Sequence, residues 1–202
     1  SVLLAFLVLY DNLVVEYFLK MMSMLALALL YFKKSSRKNK WYFSALLFAT
    51  VSNLFFISDD ISSLTLGMFA YLFYRLLTII IVVKTTQKCY LLSVIIGTIL
   101  FLTPLIYFII LNQGSFEQSL IPAVVNVVLI SILGGLSVSN YLMEEGVKNT
   151  WLLISTILFA FLAVIFVIQK YYLFIPLLDS LRVIVLMGAH YIFYRYVLLS
   201  ES

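Results

Sequence analysis

Tyr71-Leu72-Phe73-Tyr74-Arg75 lies in the middle of a long apolar run, and Tyr191-Ile192-Phe193-Tyr194-Arg195 lies in another. The two pentapeptides agree at four of five positions. An arginine at membrane depth costs from ~2.5 to more than ~10 kcal/mol, depending on the scale. A chain that places one there twice, in the same aromatic setting, reads as two related halves around a polar interior. The alternative is coincidence, because Phe, Tyr and Ile are common throughout this chain.

The composition sets the class. Of 202 residues, 64% are hydrophobic and 11% charged, against roughly half and a quarter in soluble domains. No soluble core absorbs that much apolar surface. The fold class is therefore all-α, a polytopic transmembrane helical bundle. Seven glycines and little strict alternation argue against an outer-membrane barrel. The net charge of +4 does not point to nucleic acid, because the basic residues fall between apolar runs, where they orient a membrane chain. With one cysteine, Cys89, and one histidine, His190, a zinc site of the common Cys/His types is excluded, and no cofactor is expected.

Outward from the opening stretch, the apolar runs give eight spans. Ser1–Tyr10 covers only ~15 Å as a helix and reads as the tail of a first span whose beginning is missing. The others are Val14–Phe32, Trp41–Ile57, Leu64–Val83, Cys89–Leu111 (kinked by Pro104), Leu120–Leu142, Thr150–Gln169 and Leu181–Leu199. Gly134-Gly135, with Ser137 and Ser139, suits close helix contact. One side receives Lys33, Lys34, Arg37, Lys38, Lys40, Lys84, Lys88 and Lys148. The other receives Asp11, Asp59, Asp60, Glu117 and Asp179, with Lys170 as its main basic residue. The basic side is cytoplasmic by the positive-inside rule. Both termini are then cytoplasmic, and the expected location is a bacterial inner membrane. The chain is a single integral membrane domain, with candidate halves at 1–88 and 89–202 related as two parallel four-helix units.

Helical spacing gathers the polar residues. Gly67, Tyr71, Tyr74, Arg75 and Thr78 share one face of the fourth span, and Gly188, Tyr191, Tyr194 and Arg195 share a face of the eighth, with His190 a turn before Tyr194. Such faces turn away from lipid. Asn53, Asn126 and Lys20 add polar groups from other spans, and Glu16 stands one turn before Lys20. The candidate pocket is thus Lys20, Asn53, Tyr71, Arg75, Asn126, His190, Tyr191 and Tyr194. Each has a bland counterpart: Arg75 as a structural cation held by carbonyls and tyrosine hydroxyls, Arg195 snorkelling to the surface, Lys20 anchoring at the interface, His190 as a hydrogen-bonded packing residue. No carboxylate stands in the core of any span. A proton-driven transporter would normally need one.

Several stretches resemble the YhhN/lysoplasmalogenase family, of which this chain would be a divergent member. Phe18-Leu19-Lys20-Met21 is similar to the family's Lys-Pro segment with the proline lost. Phe48-Ala49-Thr50-Val51-Ser52-Asn53-Leu54 is similar to its Phe-Ser-x-x-Gly-Asp ending, with Asn53 for the aspartate. Gly67–Arg75 resembles Gly-x-x-Ala-Phe-x-x-x-His, with Arg75 for the histidine. Phe159-Ala160-Phe161-Leu162-Ala163 stands where the family has Phe-x-x-Ser-Asp, and Tyr191–Arg195 where it has Tyr-x-x-x-Gln. The resemblance implies an eight-span bundle and hydrolysis of the vinyl-ether bond of lysoplasmalogens. That chemistry needs a proton delivered to the enol-ether carbon, for which a carboxylic acid is the natural donor. Here both aspartate positions are non-acidic. Four readings follow, the last of them a transporter built from two parallel four-helix units. The first is a non-catalytic relative that binds membrane lipids or another amphiphile, a lysophospholipid among them. The second is an active lysoplasmalogenase with Arg75 or Lys20 on the phosphate and His190 or a loop aspartate as the acid. The third is a structural subunit packed against a membrane-protein partner.

Overall fold

The computed structural model describes residues 13–58, 60–86, 90–116, 119–144, 146–171 and 176–201. Seven long helices make up these residues: α1 Leu13–Lys34, α2 Lys40–Phe55, α3 Ile61–Thr85, α4 Leu91–Leu111, α5 Leu120–Met143, α6 Val147–Tyr171 and α7 Pro176–Glu201. One further turn of helix, Gln113–Phe116, joins α4 to α5. No strand occurs among the described residues.

Five helices are long and apolar enough to cross a membrane, α3, α4, α5, Val147–Gln169 of α6 and Leu181–Glu201 of α7. This is the build of a multi-pass membrane protein. Eight such spans were expected, and five are seen among the described residues. Helix α1 has 22 residues and carries Lys33 and Lys34 in its last turn. Helix α2 has 16 residues, about 24 Å of helix against a hydrocarbon core of about 30 Å. The expected first span, Asp59 and Cys89 lie outside the described residues.

The helix ends follow local chemistry. Asn39 caps α2, its side chain accepting from the Trp41 amide at 2.9 Å. Asp60 caps α3, accepting from the Ser63 amide at 3.1 Å. Lys84 falls in the last turn of α3, where a cation opposes the helix dipole. Helix α4 continues through Pro104.

Packing arranges six helices in a ring. α1 lies on α2, α2 on α3, α3 on α5, α5 on α6, α6 on α7, and α7 returns to α1. Exchanging α1, α2 and α3 with α5, α6 and α7 leaves this set of neighbours unchanged. Helix α4 stands against α5 and α6. Its approach to α5 is set by glycines. A Cβ built on Gly97 would lie 2.9 Å from the Cα of Gly135, and one on Gly135 would collide with the Val94 carbonyl and the Thr98 hydroxyl. Backbones this close admit no side chain at Gly97 or Gly135, while a Cβ on Gly134 would meet the Phe101 ring of α4 at 2.5 Å.

The ring is tied at the end where α1 and α7 finish. The buried Glu201 carboxylate accepts hydrogen bonds from Tyr31 Oη and from Ser35 Oγ, the latter at 2.7 Å. Tyr31 Oη accepts from the Asn39 amide at 2.9 Å, and Ser35 Oγ from the Lys38 amide at 2.8 Å. The α1–α2 turn is thereby fastened to α7. Around it Asn140 Nδ2 donates to Thr86 Oγ1 at 2.8 Å, and Asn149 Nδ2 donates to the Glu144 carbonyl at 2.8 Å.

The two pentapeptides sit differently about their helix axes. Phe73 is 52% exposed, whereas Phe193 is 1% exposed. Arg75 is buried at 1% exposure, whereas Arg195 is half-buried with its guanidinium 5.8 Å from the Trp151 ring centre. The sequence match therefore does not extend to matching environments.

Candidate functional site

A cavity of about 140 Å³ lies inside the bundle. It occupies the half where α1, α3, α5 and α7 begin and α2, α4 and α6 end, and every long helix lines it. Its walls are mostly hydrocarbon: Met68, Ile109, Ala123, Val127, Ile130, Leu162, Ala163, Val167, Val183 and Leu186, with the rings of Phe56, Phe159 and Phe166. Its polar lining is Lys20, Asn53, Tyr71, Arg75, Asn126 and Arg182. No aspartate or glutamate is among the described lining residues.

Arg75 is the most deeply placed cation. Its Nη2 donates to Tyr71 Oη at 2.6 Å, a partner one turn back on α3. Its guanidinium carbon lies 4.4 Å from the ring centre of Phe159, 4.6 Å from that of Tyr71 and 5.6 Å from that of Tyr74. Its Nε and Nη1 have no hydrogen-bond partner. Aromatic faces replace part of the lost hydration, but two donors are left over.

Asparagines supply further open capacity. Asn53, near the end of α2, is buried, and its Nδ2 has no partner. The neighbouring Ser52 hydroxyl donates to the Gly67 carbonyl at 2.9 Å and fixes α2 against α3. Asn126 donates from Nδ2 to the Met68 carbonyl at 3.2 Å and the Pro122 carbonyl at 3.1 Å, leaving Oδ1 unpartnered. Lys20 is buried and Arg182 half-buried at the same cavity.

Of the eight residues gathered from the sequence, Lys20, Asn53, Tyr71, Arg75 and Asn126 line this cavity, and three do not. His190 is buried behind Tyr74 and Phe159, 5.2 Å from each ring centre. Its Nδ1 lies 3.4 Å from Tyr74 Oη, and its Nε2 has no partner. Tyr194 is buried on another side of α7, 6.4 Å from the Tyr31 ring. Tyr191 is 46% exposed. The expected inward face of α7 is therefore corrected: α7 turns Val183 and Leu186 to the cavity and Tyr191 outward. The sequence reading also passed over Phe159, Ala163 and Arg182 as lining residues. Arg182, a cation within the last apolar run, was the available signal.

Two details bear on chemistry. Asn53 and Ala163, which stand at the aspartate positions of the resemblance, both line this one cavity. The only acid near the mouth of α3 among the described residues, Asp60, is exposed and engaged as the cap of that helix.

No curated protein and no solved structure matches the chain. The model of the YhhN family matches residues 15–197, a stretch that takes in all the cavity-lining residues and nearly the whole bundle. The chain belongs to the YhhN family.

Proposed function

We propose that this chain binds a lipid or other single-chain amphiphile in its interior cavity and does not cleave it. The observation that carries the reading is the cavity lining: hydrocarbon walls, unpartnered donors on Arg75 and Asn53, and an amide and a methyl group at the two aspartate positions. Vinyl-ether hydrolysis requires a proton placed on carbon. An amide does not deliver one, nor does a methyl group. His190 is separated from the cavity by Tyr74 and Phe159. A lysophospholipid is within the class of ligands, since its chain suits the walls and its head group the polar residues.

The same reading keeps eight spans with both termini cytoplasmic, from the basic residues Lys33 to Lys40, Lys84 and Lys148 on one side. A bacterial inner membrane remains the expected location.

The test is aldehyde release from a lysoplasmalogen by the purified protein in proteoliposomes. The wild type should release none above empty vesicles. Aldehyde release by the wild type would overturn the non-catalytic reading and make His190 the next residue to replace. Activity gained by Asn53→Asp would show that the cavity still accepts the substrate and lacks only the acid.

A further inference from the structure

Resting on the reading that the cavity holds an amphiphile, the geometry points to a narrower ligand class: a monoanionic amphiphile of the fatty-acid type, whose carboxylate meets Arg75. Arg75 is 1% exposed and has two donors, Nε and Nη1, without partners. Asn53 Nδ2 is a third unpartnered donor on the same cavity. Buried polar groups are almost always satisfied, so a ligand here should bring acceptor oxygens. A hydroxyl or ester could supply acceptors as well, but charge decides between them. Arg75 is permanently cationic, and no described lining residue is acidic. A buried cation without an anion is strongly unfavourable in a medium of low polarity. Lys20 and Arg182 add two further cations to the same lining, so the described lining as a whole is cationic and suits an anion.

Size and surroundings favour a carboxylate over a phosphate. The cavity of about 140 Å³ is of the order that accepts a benzene-sized molecule. A carboxylate with the first few methylenes of its chain fills such a space, whereas a glycerophosphate head group is larger. Around the guanidinium the rings of Phe159 and Tyr71 restrict approach to its edges. The walls beyond, Leu162, Ala163, Val127 and Ile130 among them, suit an acyl chain.

The test compares decanoate with methyl decanoate, which has the same acyl chain but no charge, for binding to the protein in neutral-lipid nanodiscs, each corrected against empty discs. A charge-assisted hydrogen-bonded contact predicts that the wild type binds decanoate about tenfold or more tightly, and that Arg75→Met brings the ratio to about one. Decyl phosphate, the third probe, should bind more weakly than decanoate. Equal binding of acid and ester by the wild type overturns the inference while leaving an amphiphile site in place. An Arg75→Met protein that keeps the wild-type preference also overturns it, and tighter binding of decyl phosphate replaces the carboxylate with a phosphate. Failure of all three probes to bind overturns the inference together with the reading beneath it. The acid–ester comparison needs only the wild type, so it holds even where a variant fails to fold.

Discussion

The rings of Phe159, Tyr71 and Tyr74 set how unfavourable the burial of Arg75 is. Each contributes up to about 2 kcal/mol to a desolvated cation, which offsets much of the burial but leaves Nε and Nη1 open. A residue retained only for structure would be poorly chosen. Replacement of an incompletely satisfied buried charge by an apolar side chain of similar volume is often neutral or stabilising by about 1–4 kcal/mol. Arg75→Met should therefore unfold no more readily than the wild type in an SDS titration. A loss of several kcal/mol would instead mark Arg75 as a structural cation. Phe159→Ala should lower stability by about 3–5 kcal/mol, because Phe159 is fully buried against Tyr74, His190 and Arg75 together. Residue type made part of this site legible. Lys20, Asn53, Asn126 and Arg75 are conspicuous in apolar runs, and Tyr71 lies one turn from Arg75. Residue type alone did not mark Phe159 and Ala163, which only the resemblance picked out, because an apolar residue lining a cavity looks the same in sequence as one lining a core or facing lipid.

At the scale of elements, the α4–α5 contact shows packing without side chains. Gly135→Leu should destabilise the bundle by about 1–3 kcal/mol or more, since even a Cβ there meets the α4 backbone. Gly188 has nothing within 4 Å of a built Cβ, and Gly188→Ala should be neutral or stabilising by up to about 1 kcal/mol. Parallel unfolding titrations of the two variants check both. The Gly134-Gly135 pair announced this contact in the sequence: Gly135 admits the α4 backbone and Gly134 the Phe101 ring. The orientation of α7 was not announced. Period alone gave a shared face for Gly188, Tyr191, Tyr194 and Arg195, but which face looks inward depends on the neighbours: α7 buries Ala189, His190, Phe193 and Tyr196 along with Tyr194, and leaves Tyr191 exposed. The two matching pentapeptides thus do not present matching surfaces.

For the whole molecule, a ring of six helices needs closure between its first and last members, and Glu201 supplies part of it. Glu201→Gln should weaken the bonds from Tyr31 and Ser35 and lower stability by about 1–3 kcal/mol. An unchanged unfolding midpoint would show that aromatic packing of Tyr31 against Tyr42 and Tyr194 closes the ring unaided. The class of the fold followed from composition and apolar runs, which depend little on detail. The ring did not, because no local pattern states which helices are neighbours. The central claim is that the ring encloses an occupied site for an amphiphile. Native mass spectrometry of the protein purified from its membrane tests this most directly, with Ala163→Phe, which fills the cavity, beside the wild type. The account predicts one single-chain amphiphile retained per wild-type chain and none in Ala163→Phe. A wild type that carries no amphiphile, or a variant that retains as much as the wild type, would contradict it.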